Sequence, residues 1–228
     1  MIDLWHLTDI DWLARLSPES AEELRQSAEM QSFPTGSHIF GPDPSPSEVF
    51  ILESGLIRIY RESPDAVEVT FGYIRPGEIF GESALFGNRP RESKAVAAQL
   101  SKVIVLSRDE FLKTMQNTPQ MGYSVAMQIE GRFKNIETRV EDLVFRNAQN
   151  RLACILLQLA EQFGRQEGGQ TVLPMQLTHK ELATLIGTSR PTVSLAINGL
   201  ENAGLIGKQG RHISINSIDS LANAIDQL

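Results

Sequence analysis

The polar residues best placed to bind another molecule lie near the C-terminal end of the chain, in the segment LTHKELATLIGTSRPTVSLAINGLENAGLI. Thr178 precedes Glu181 by three residues, which is the spacing of a capping box at the start of a helix. Gly187 is expected to end this helix, and Ser189 followed by Pro191 begins a second one. Two short helices joined by a glycine turn predict a helix-turn-helix, whose second helix contacts the edges of DNA bases.

The charge of the chain is unevenly distributed around this motif. The net charge is −7, with −8 in residues 1–145 and +1 in residues 146–228, so the acidic excess belongs to the front of the chain. The next segment, LIGKQGRHISI, predicts the two strands of a wing, where lysine and arginine would contact phosphate. The predicted DNA contacts are Thr178, His179, Lys180, Ser189, Arg190, Thr192, Ser194, Leu195, Lys208 and Arg211.

Before the motif, the sequence pattern predicts helices first and then short strands. Residues 1–32 predict short helices, because a capping serine and Pro18 are followed by Leu24, Ala28 and Met30 at roughly helical spacing. From Pro34 to about residue 107, short apolar runs such as VFILESGLIRIY and KVIVLS alternate with glycine and proline. This pattern predicts an antiparallel barrel or sandwich, which could form a ligand pocket or serve as a scaffold.

A long helix is predicted after residue 108, where apolar residues recur at steps of four and three. The stripe could pack on the core of its own domain, but a helix of more than 25 residues favours coiled-coil pairing with a second copy. Phe145-Arg146-Asn147 predicts a hinge, Arg151–Phe163 a further helix, and GRQEGGQ a flexible linker. The predicted dimer contacts are Met121, Val125, Ile129, Phe133, Ile136, Val140 and Leu143.

Composition argues against several other classes of protein. Cys154 is the single cysteine, which excludes an intrachain disulfide and an iron–sulfur or zinc–thiolate site. No run of 18 apolar residues occurs, and the start MIDLWHLTDIDWLARL is acidic and amphipathic, so a cytoplasmic protein without a membrane span is expected. An enzyme is not expected, because no Ser-His-Asp order, metal-spaced histidine cluster or phosphate loop is present.

Over essentially its whole length the chain resembles the cyclic-AMP receptor protein and fumarate–nitrate reduction regulator (CRP/FNR) family of bacterial transcription factors. The order of elements and the segment GTSRPTVSLAINGLENAGLI carry the resemblance. It implies an α+β fold with a cyclic-nucleotide-binding-like β jelly-roll barrel over residues 1–107, a dimerisation helix and hinge over 108–146, and a winged helix-turn-helix over 147–228. It also implies a homodimer that binds double-stranded DNA, with RNA polymerase as a further partner.

The resemblance also implies an effector pocket, but with departures. Cyclic-nucleotide-binding members use a Gly-Glu pair and an Arg-Ser or Arg-Thr pair around the ribose and phosphate. Gly81, Glu82, Ser83 and Arg91 fit this pattern, whereas Glu92 would put a carboxylate where a hydroxyl donor is expected. Where cyclic-AMP-responsive members have a Thr-Ser pair under the adenine, this chain has Ile136 and Glu137. A small effector other than cyclic AMP is therefore expected, with regulation without an effector as the alternative.

The positions of the histidines argue against a haem or metal site, and the start of the second motif helix indicates which bases it would contact. The four histidines, His6, His38, His179 and His212, lie outside the dimer helix, so haem in the usual family position is unsupported and no metal site is expected. Arg190 is expected to contact guanine and Leu195 a thymine methyl, at a palindrome that differs from the family's best-known site. In a different class of function, the chain would be a protein-interaction module without DNA binding.

Overall fold

The computed structural model describes residues 18–87, 89–209 and 212–225, so the predicted helix before Pro18 lies outside the described residues. The chain forms two compact units, Met1–Lys134 and Asn135–Leu228. No described helix is both long and apolar enough to cross a membrane.

The N-terminal unit is built mainly from short antiparallel strands. Its elements are α1 (Pro18–Ser27), β1 (Glu29–Phe33), β2 (His38–Phe40), β3 (Glu48–Ser54), β4 (Ile57–Glu62), β5 (Glu68–Ile74), β6 (Ile79–Phe80), a 3-10 helix (Glu82–Phe86), β7 (Lys94–Ala97), β8 (Ser101–Ser107), α2 (Arg108–Asn117) and α3 (Pro119–Phe145), the last of which continues into the second unit.

Two four-stranded antiparallel sheets form this unit, with the orders β1-β8-β3-β6 and β2-β7-β4-β5. Residues of both sheets, such as Phe50 and Ile57, are buried in one core cluster. The predicted antiparallel architecture is confirmed, but the described strand pairs leave the sheets unconnected, so the jelly roll is a sandwich and not a closed barrel. Met30, predicted in a helix, lies in β1 opposite Ile104, because pairing with β8 overrides the local spacing.

The first turns of α3 pack into the N-terminal core. Met121 is fully buried and Val125 nearly so, in a cluster with Leu24 and Phe111, and Ile129 is half-buried against the same cluster. The predicted dimer stripe is therefore corrected at its start, since a side chain enclosed by its own unit has no surface left for a partner. The stripe that remains exposed begins at Phe133.

The C-terminal unit combines helices with a four-stranded sheet of order β11-β12-β10-β9. Its further elements are α4 (Ala148–Phe163), β9 (Arg165–Glu167), β10 (Gln170–Val172), α5 (His179–Ile186), α6 (Arg190–Asn202), β11 (Ile206–Gln209), β12 (His212–Ile215) and α7 (Ile218–Ala224). The helix predicted from Arg151 begins three residues earlier, where the Asn147 side chain accepts a hydrogen bond from the backbone N–H of Asn150.

The segment GRQEGGQ is a β-hairpin, so the prediction of a flexible linker was wrong. Gly168 and Gly169 have φ of 57° and 83°, the left-handed conformation that a tight hairpin turn requires at both central positions. Strands β9 and β10 pair directly across this turn, and β10 continues the sheet onto β12. The glycine pair thus joins two strands of the sheet that also contains the predicted wing.

Candidate nucleic-acid interface and effector cassette

Helix α5 begins with the predicted capping box. The Thr178 Oγ1 accepts a hydrogen bond from the Glu181 N–H at 3.2 Å, and the Glu181 Oε2 accepts hydrogen bonds from the Thr178 N–H and hydroxyl at 2.8 Å each. Gly187 ends the helix at φ 63° and ψ 50°, with its N–H bonded to Ala183 O. These bonds fix the direction of the first helix of the motif and commit the Thr178 hydroxyl to its cap.

The second helix of the motif, α6, packs on the first through one apolar face. Val193, Ile197 and Leu200 are buried, as are Leu182 and Leu185 of α5, at the three- and four-residue spacing of helix faces. Both helices therefore present their polar residues on the remaining surface.

The small polar residues of α6 bond one another or a neighbouring side chain. The Ser189 Oγ caps the helix by accepting from the Thr192 N–H at 3.4 Å, and it lies 2.8 Å from the Thr192 Oγ1. The Ser194 hydroxyl donates to Arg190 O at 3.1 Å and lies 2.8 Å from the His179 Nδ1. These hydroxyls position the start of the helix and tie it to α5.

Arg190 and Leu195 are the two predicted base contacts of α6 without such ties. The Leu195 side chain is 73% exposed, which is unusual for a leucine of a packed helix. Arg190 is exposed, and its guanidinium has no hydrogen-bond or ion-pair partner in the part of the chain that the structure describes. Both side chains are therefore available to another molecule at the start of the recognition helix.

Apart from Arg190, the basic residues among the predicted DNA contacts lie outside α6. Lys180 is exposed in the first turn of α5. Lys208 is in β11, with its Nζ 3.1 Å from the Glu201 Oε1 and its side chain 58% exposed. Arg211 lies outside the described residues. The described wing strands pair from Ile206 opposite Ile215 to Gln209 opposite His212.

The predicted effector residues of the N-terminal unit, here called the effector cassette, are Gly81, Glu82, Ser83, Arg91 and Glu92. Among them, Arg91 is buried. Its Nη2 donates to Glu48 O at 2.8 Å and to Gly81 O at 3.1 Å, its Nε donates to the Ser83 Oγ at 3.3 Å, and the residue is 4% exposed. Burial lowers the pKa of its guanidinium, against the opposing effect of the carboxylates of Asp43, Glu48 and Glu82. The protein itself thus engages three of the five N–H donors of the guanidinium, those on Nε and Nη2.

Gly81 is a glycine for a steric and conformational reason. Its φ is 74°, and a Cβ at this position would lie 2.7 Å from the Phe50 Cδ2 and 3.2 Å from the Arg91 Nη2. The Arg91 guanidinium also lies over the Phe40 ring, with 4.2 Å between its Cζ and the ring centroid. A larger residue at 81 would therefore displace either the aromatic core or the arginine.

Glu82 is engaged by helix α3, through residues that the sequence reasoning missed. The Arg132 Nη1 lies 3.2 Å from the Glu82 Oε1, and the Arg132 Nη2 donates to Ile79 O. One turn earlier, the Gln128 Oε1 accepts from the Ile79 N–H at 2.9 Å. The i, i+4 spacing of Gln128 and Arg132 puts both on one helix face, but only the fold reveals that this face meets the strand before the cassette.

Glu92 points away from Arg91, contrary to the expectation from sequence. Its Oε2 pairs with the Arg61 Nη1 at 2.9 Å, and the two side chains are 58% and 54% exposed. Neighbouring residues in an extended segment face opposite sides, so Arg91 enters the core while Glu92 faces solvent. Ile136 and Glu137 belong to the second unit, where both are exposed.

Known proteins match this chain in both halves. The family described as the cyclic nucleotide-binding domain matches residues 30–118, and the Crp-like helix-turn-helix domain matches residues 150–224. The cyclic AMP receptor protein of Thermus thermophilus is 30% identical over 191 residues, covering 84% of this chain and 85% of that protein. The transcriptional regulator SdrP of the same organism is 31% identical over 186 residues, covering 80% and 87%.

A solved structure agrees with these matches. A transcriptional regulator of the CRP/FNR family from Thermus thermophilus superposes with a TM-score of 0.71 at 28% identity, covering 87% of this chain and 98% of that one. A single known structure thus covers the sandwich, the long helix and the helix-turn-helix described above. The chain belongs to the CRP/FNR family of transcription regulators, with a helix-turn-helix DNA-binding domain at its C-terminal end.

Proposed function

We propose that this regulator acts in the cytoplasm as a homodimer that binds a palindromic DNA site, under the control of a signal other than cyclic AMP. The observation that carries the proposal is the exposed start of α6, where the Arg190 guanidinium and the Leu195 side chain have no partners among the described residues. A guanidinium fork matches the O6 and N7 of guanine, and an apolar side chain matches the methyl group of thymine.

Phosphate contacts would fix this helix in the major groove. Lys180 in α5 and Lys208 in β11 are exposed, and the backbone N–H groups at the start of α5 form a positive helix end beside Thr178 and His179. Arg211 remains a predicted contact of the wing. These groups attract any DNA sequence, so the choice among sequences depends on α6.

The homodimer would form along the exposed part of α3. Phe133, Ile136, Val140 and Leu143 are apolar and between 44% and 60% exposed, at spacings of three and four. Such a row on a long helix is stable in water when a second helix covers it. A two-fold dimer of this kind predicts half-sites about one helical turn of DNA apart.

The Ile136→Glu variant is expected to be monomeric at micromolar concentration, because a carboxylate would be buried in the middle of the helix seam. Analytical ultracentrifugation measures the change, with the wild-type protein sedimenting as a dimer. Thr138→Glu is the matched control, since it adds the same charge at an exposed position off the stripe. An Ile136→Glu protein that remains dimeric would show that the dimer uses another surface.

Two intramolecular pairings argue against cyclic AMP as the effector. Arg91 is bonded to Glu48 O, Gly81 O and Ser83, and Glu82 is paired with Arg132. A cyclic nucleotide that used the Nε and Nη2 donors of Arg91 would have to break its bonds, and Ile136 lacks the hydroxyl that cyclic-AMP-responsive members have at this position of the sequence. Because Glu92 faces outward, its carboxylate does not oppose a phosphate, and the case against cyclic AMP depends on the two pairings.

Isothermal titration with cyclic AMP is expected to give no saturable binding up to about 1 mM, an affinity weaker than about −4 kcal/mol. The relative named cyclic AMP receptor protein, measured in the same buffer, is the positive control. Saturable binding at micromolar concentration would contradict the proposal.

The same pairings favour a second candidate, a regulator active without any ligand. Purified protein would then bind its operator equally well with and without cell extract. Selection of bound sequences from a random DNA pool under both conditions tests the two candidates together. An enriched palindrome supports DNA regulation, a dependence on extract supports an effector, and failure to enrich any sequence supports a protein-interaction module.

RNA polymerase is the partner through which the bound dimer would act.

A further inference from the structure

The C-terminal unit contains a cleft whose interior has no role in the functions above, although some residues at its edge are predicted DNA contacts. It has a volume of about 410 Å³ and lies between the start of α5, the second half of α6 and the wing strands β11 and β12. This volume falls in the range of small-molecule pockets, roughly 300–1,000 Å³. The cleft lies wholly within one unit, so its walls belong to a single packed body.

The cleft walls are apolar and its edge is charged. Leu177, Ile197, Ile206 and Ile213 supply hydrocarbon surface, which would cover the apolar part of a ligand. At the edge are His179, His212 and Lys208, with Glu201 as the carboxylate among the lining residues. A ligand with an apolar body and a negatively charged head would match both parts.

The polar groups at the edge keep hydrogen-bonding capacity for an anion. The Lys208 ammonium has three N–H donors, and its contact with the Glu201 Oε1 at 3.1 Å uses one of them. The hydrogen bond between the His179 Nδ1 and the Ser194 Oγ uses one of the two ring nitrogens of His179. Glu201 is thus balanced by Lys208, which leaves the remaining ammonium donors and the His212 ring to face a ligand carboxylate.

We propose that this cleft binds a small amphipathic carboxylate, and that the bound carboxylate competes with DNA. The second half of this inference rests on the proposed function, because Lys208 and His179 are also predicted DNA contacts. A carboxylate at Lys208 neutralises a charge that would otherwise contact phosphate, and its body fills the space between the wing and the helix-turn-helix. The DNA-binding unit would therefore sense a metabolite by itself, apart from the N-terminal unit.

Decanoate is a suitable probe, with 1-decanol as the uncharged molecule of similar apolar body. Titration of the full-length protein without DNA is expected to give one decanoate per protomer, and roughly tenfold or weaker affinity for decanol. Fluorescence anisotropy with the selected operator is then expected to show DNA release as decanoate saturates the protein. Failure of decanoate to bind, equal binding of decanol, or simultaneous binding of decanoate and DNA would each overturn the proposal.

Two variants locate the site. Leu177→Trp adds bulk in the cleft and is expected to weaken decanoate binding by roughly tenfold or more, whereas Leu100→Trp adds the same side chain at an exposed position of the other unit and is expected to leave it unchanged. His212→Gln removes an imidazole from the edge and is expected to weaken decanoate more than decanol. Unchanged affinity in His212→Gln and in a folded Leu177→Trp would overturn the assignment, and thermal melts verify folding.

The outcome separates this inference from the proposed function. If the wild-type protein binds no DNA in the absence of decanoate, either with or without cell extract, the proposed function fails whatever decanoate does. If it binds DNA and decanoate does not bind, only the cleft proposal fails.

Discussion

Replacing Arg190 by alanine is expected to remove most of the preference for the operator over random DNA while leaving much of the overall affinity. A bidentate arginine–guanine contact is worth about 1–3 kcal/mol of discrimination, or roughly 5- to 150-fold for each half-site. The variant should lose the DNA contact without losing stability, because the exposed Arg190 guanidinium has no partner among the described residues and its loss disturbs no internal bond there. Fluorescence anisotropy with the selected operator and with a scrambled duplex measures both affinities.

Lys208→Ala is the matched control for that experiment. Lys208 is exposed on the wing and pairs with Glu201, so its removal should weaken binding to both duplexes alike. The slope of log affinity against log salt should fall by about 1 for each phosphate that the variant no longer neutralises. If Arg190→Ala also weakened binding to the operator and to the scrambled duplex alike, the division between base and phosphate contacts would be contradicted.

Replacing Arg91 by alanine is expected to destabilise the protein even without any ligand. The change removes the Arg91 donors from Glu48 O, Gly81 O and the Ser83 Oγ, of which Gly81 O still accepts from the Ala84 N–H, and it removes the group that packs on Phe40. Each unsatisfied buried polar group costs about 1–3 kcal/mol, and relief of the buried charge offsets part of the sum. The expected decrease in the free energy of unfolding is about 2–4 kcal/mol, measured by urea denaturation of the purified protein.

Arg61→Ala provides the comparison, because Arg61 forms an exposed pair with Glu92 beside the same segment. Exposed ion pairs contribute about 0–1 kcal/mol, so this variant should stay close to the wild type. If Arg91→Ala is as stable as Arg61→Ala, Arg91 is held in place for a ligand and contributes little to the fold.

Local signals in the sequence predicted the C-terminal motif in detail. The Thr178 and Glu181 pair, the turn at Gly187 and the cap at Ser189 act over three or four residues, so their geometry can be predicted from spacing alone. The burial of Val193 and Leu200 likewise follows from helical periodicity. The short strands in the first half of the chain could be predicted for the same reason, because the apolar runs and the glycine and proline residues between them are neighbours in the sequence.

Features that depend on distant partners could not be predicted in this way. Met121 continues the apolar spacing of Ile136, yet it is buried in its own unit because α1 and α2 cover it. The burial of Arg91 depends on Glu48 O, which lies 43 residues away in the chain. The hairpin at Gly168-Gly169 was missed because glycines are also typical of flexible segments, although this pair is a strong turn signal.

The two faces of α6 have consequences for how this regulator can change over generations. Val193, Ile197 and Leu200 hold the helix in place and tolerate little substitution, whereas Arg190 and Leu195 touch nothing that the fold depends on among the described residues. Mutations at these two positions can alter the preferred operator at almost no cost in stability. Duplicated copies of the gene could therefore acquire separate sets of target promoters in a few substitutions, with the scaffold unchanged.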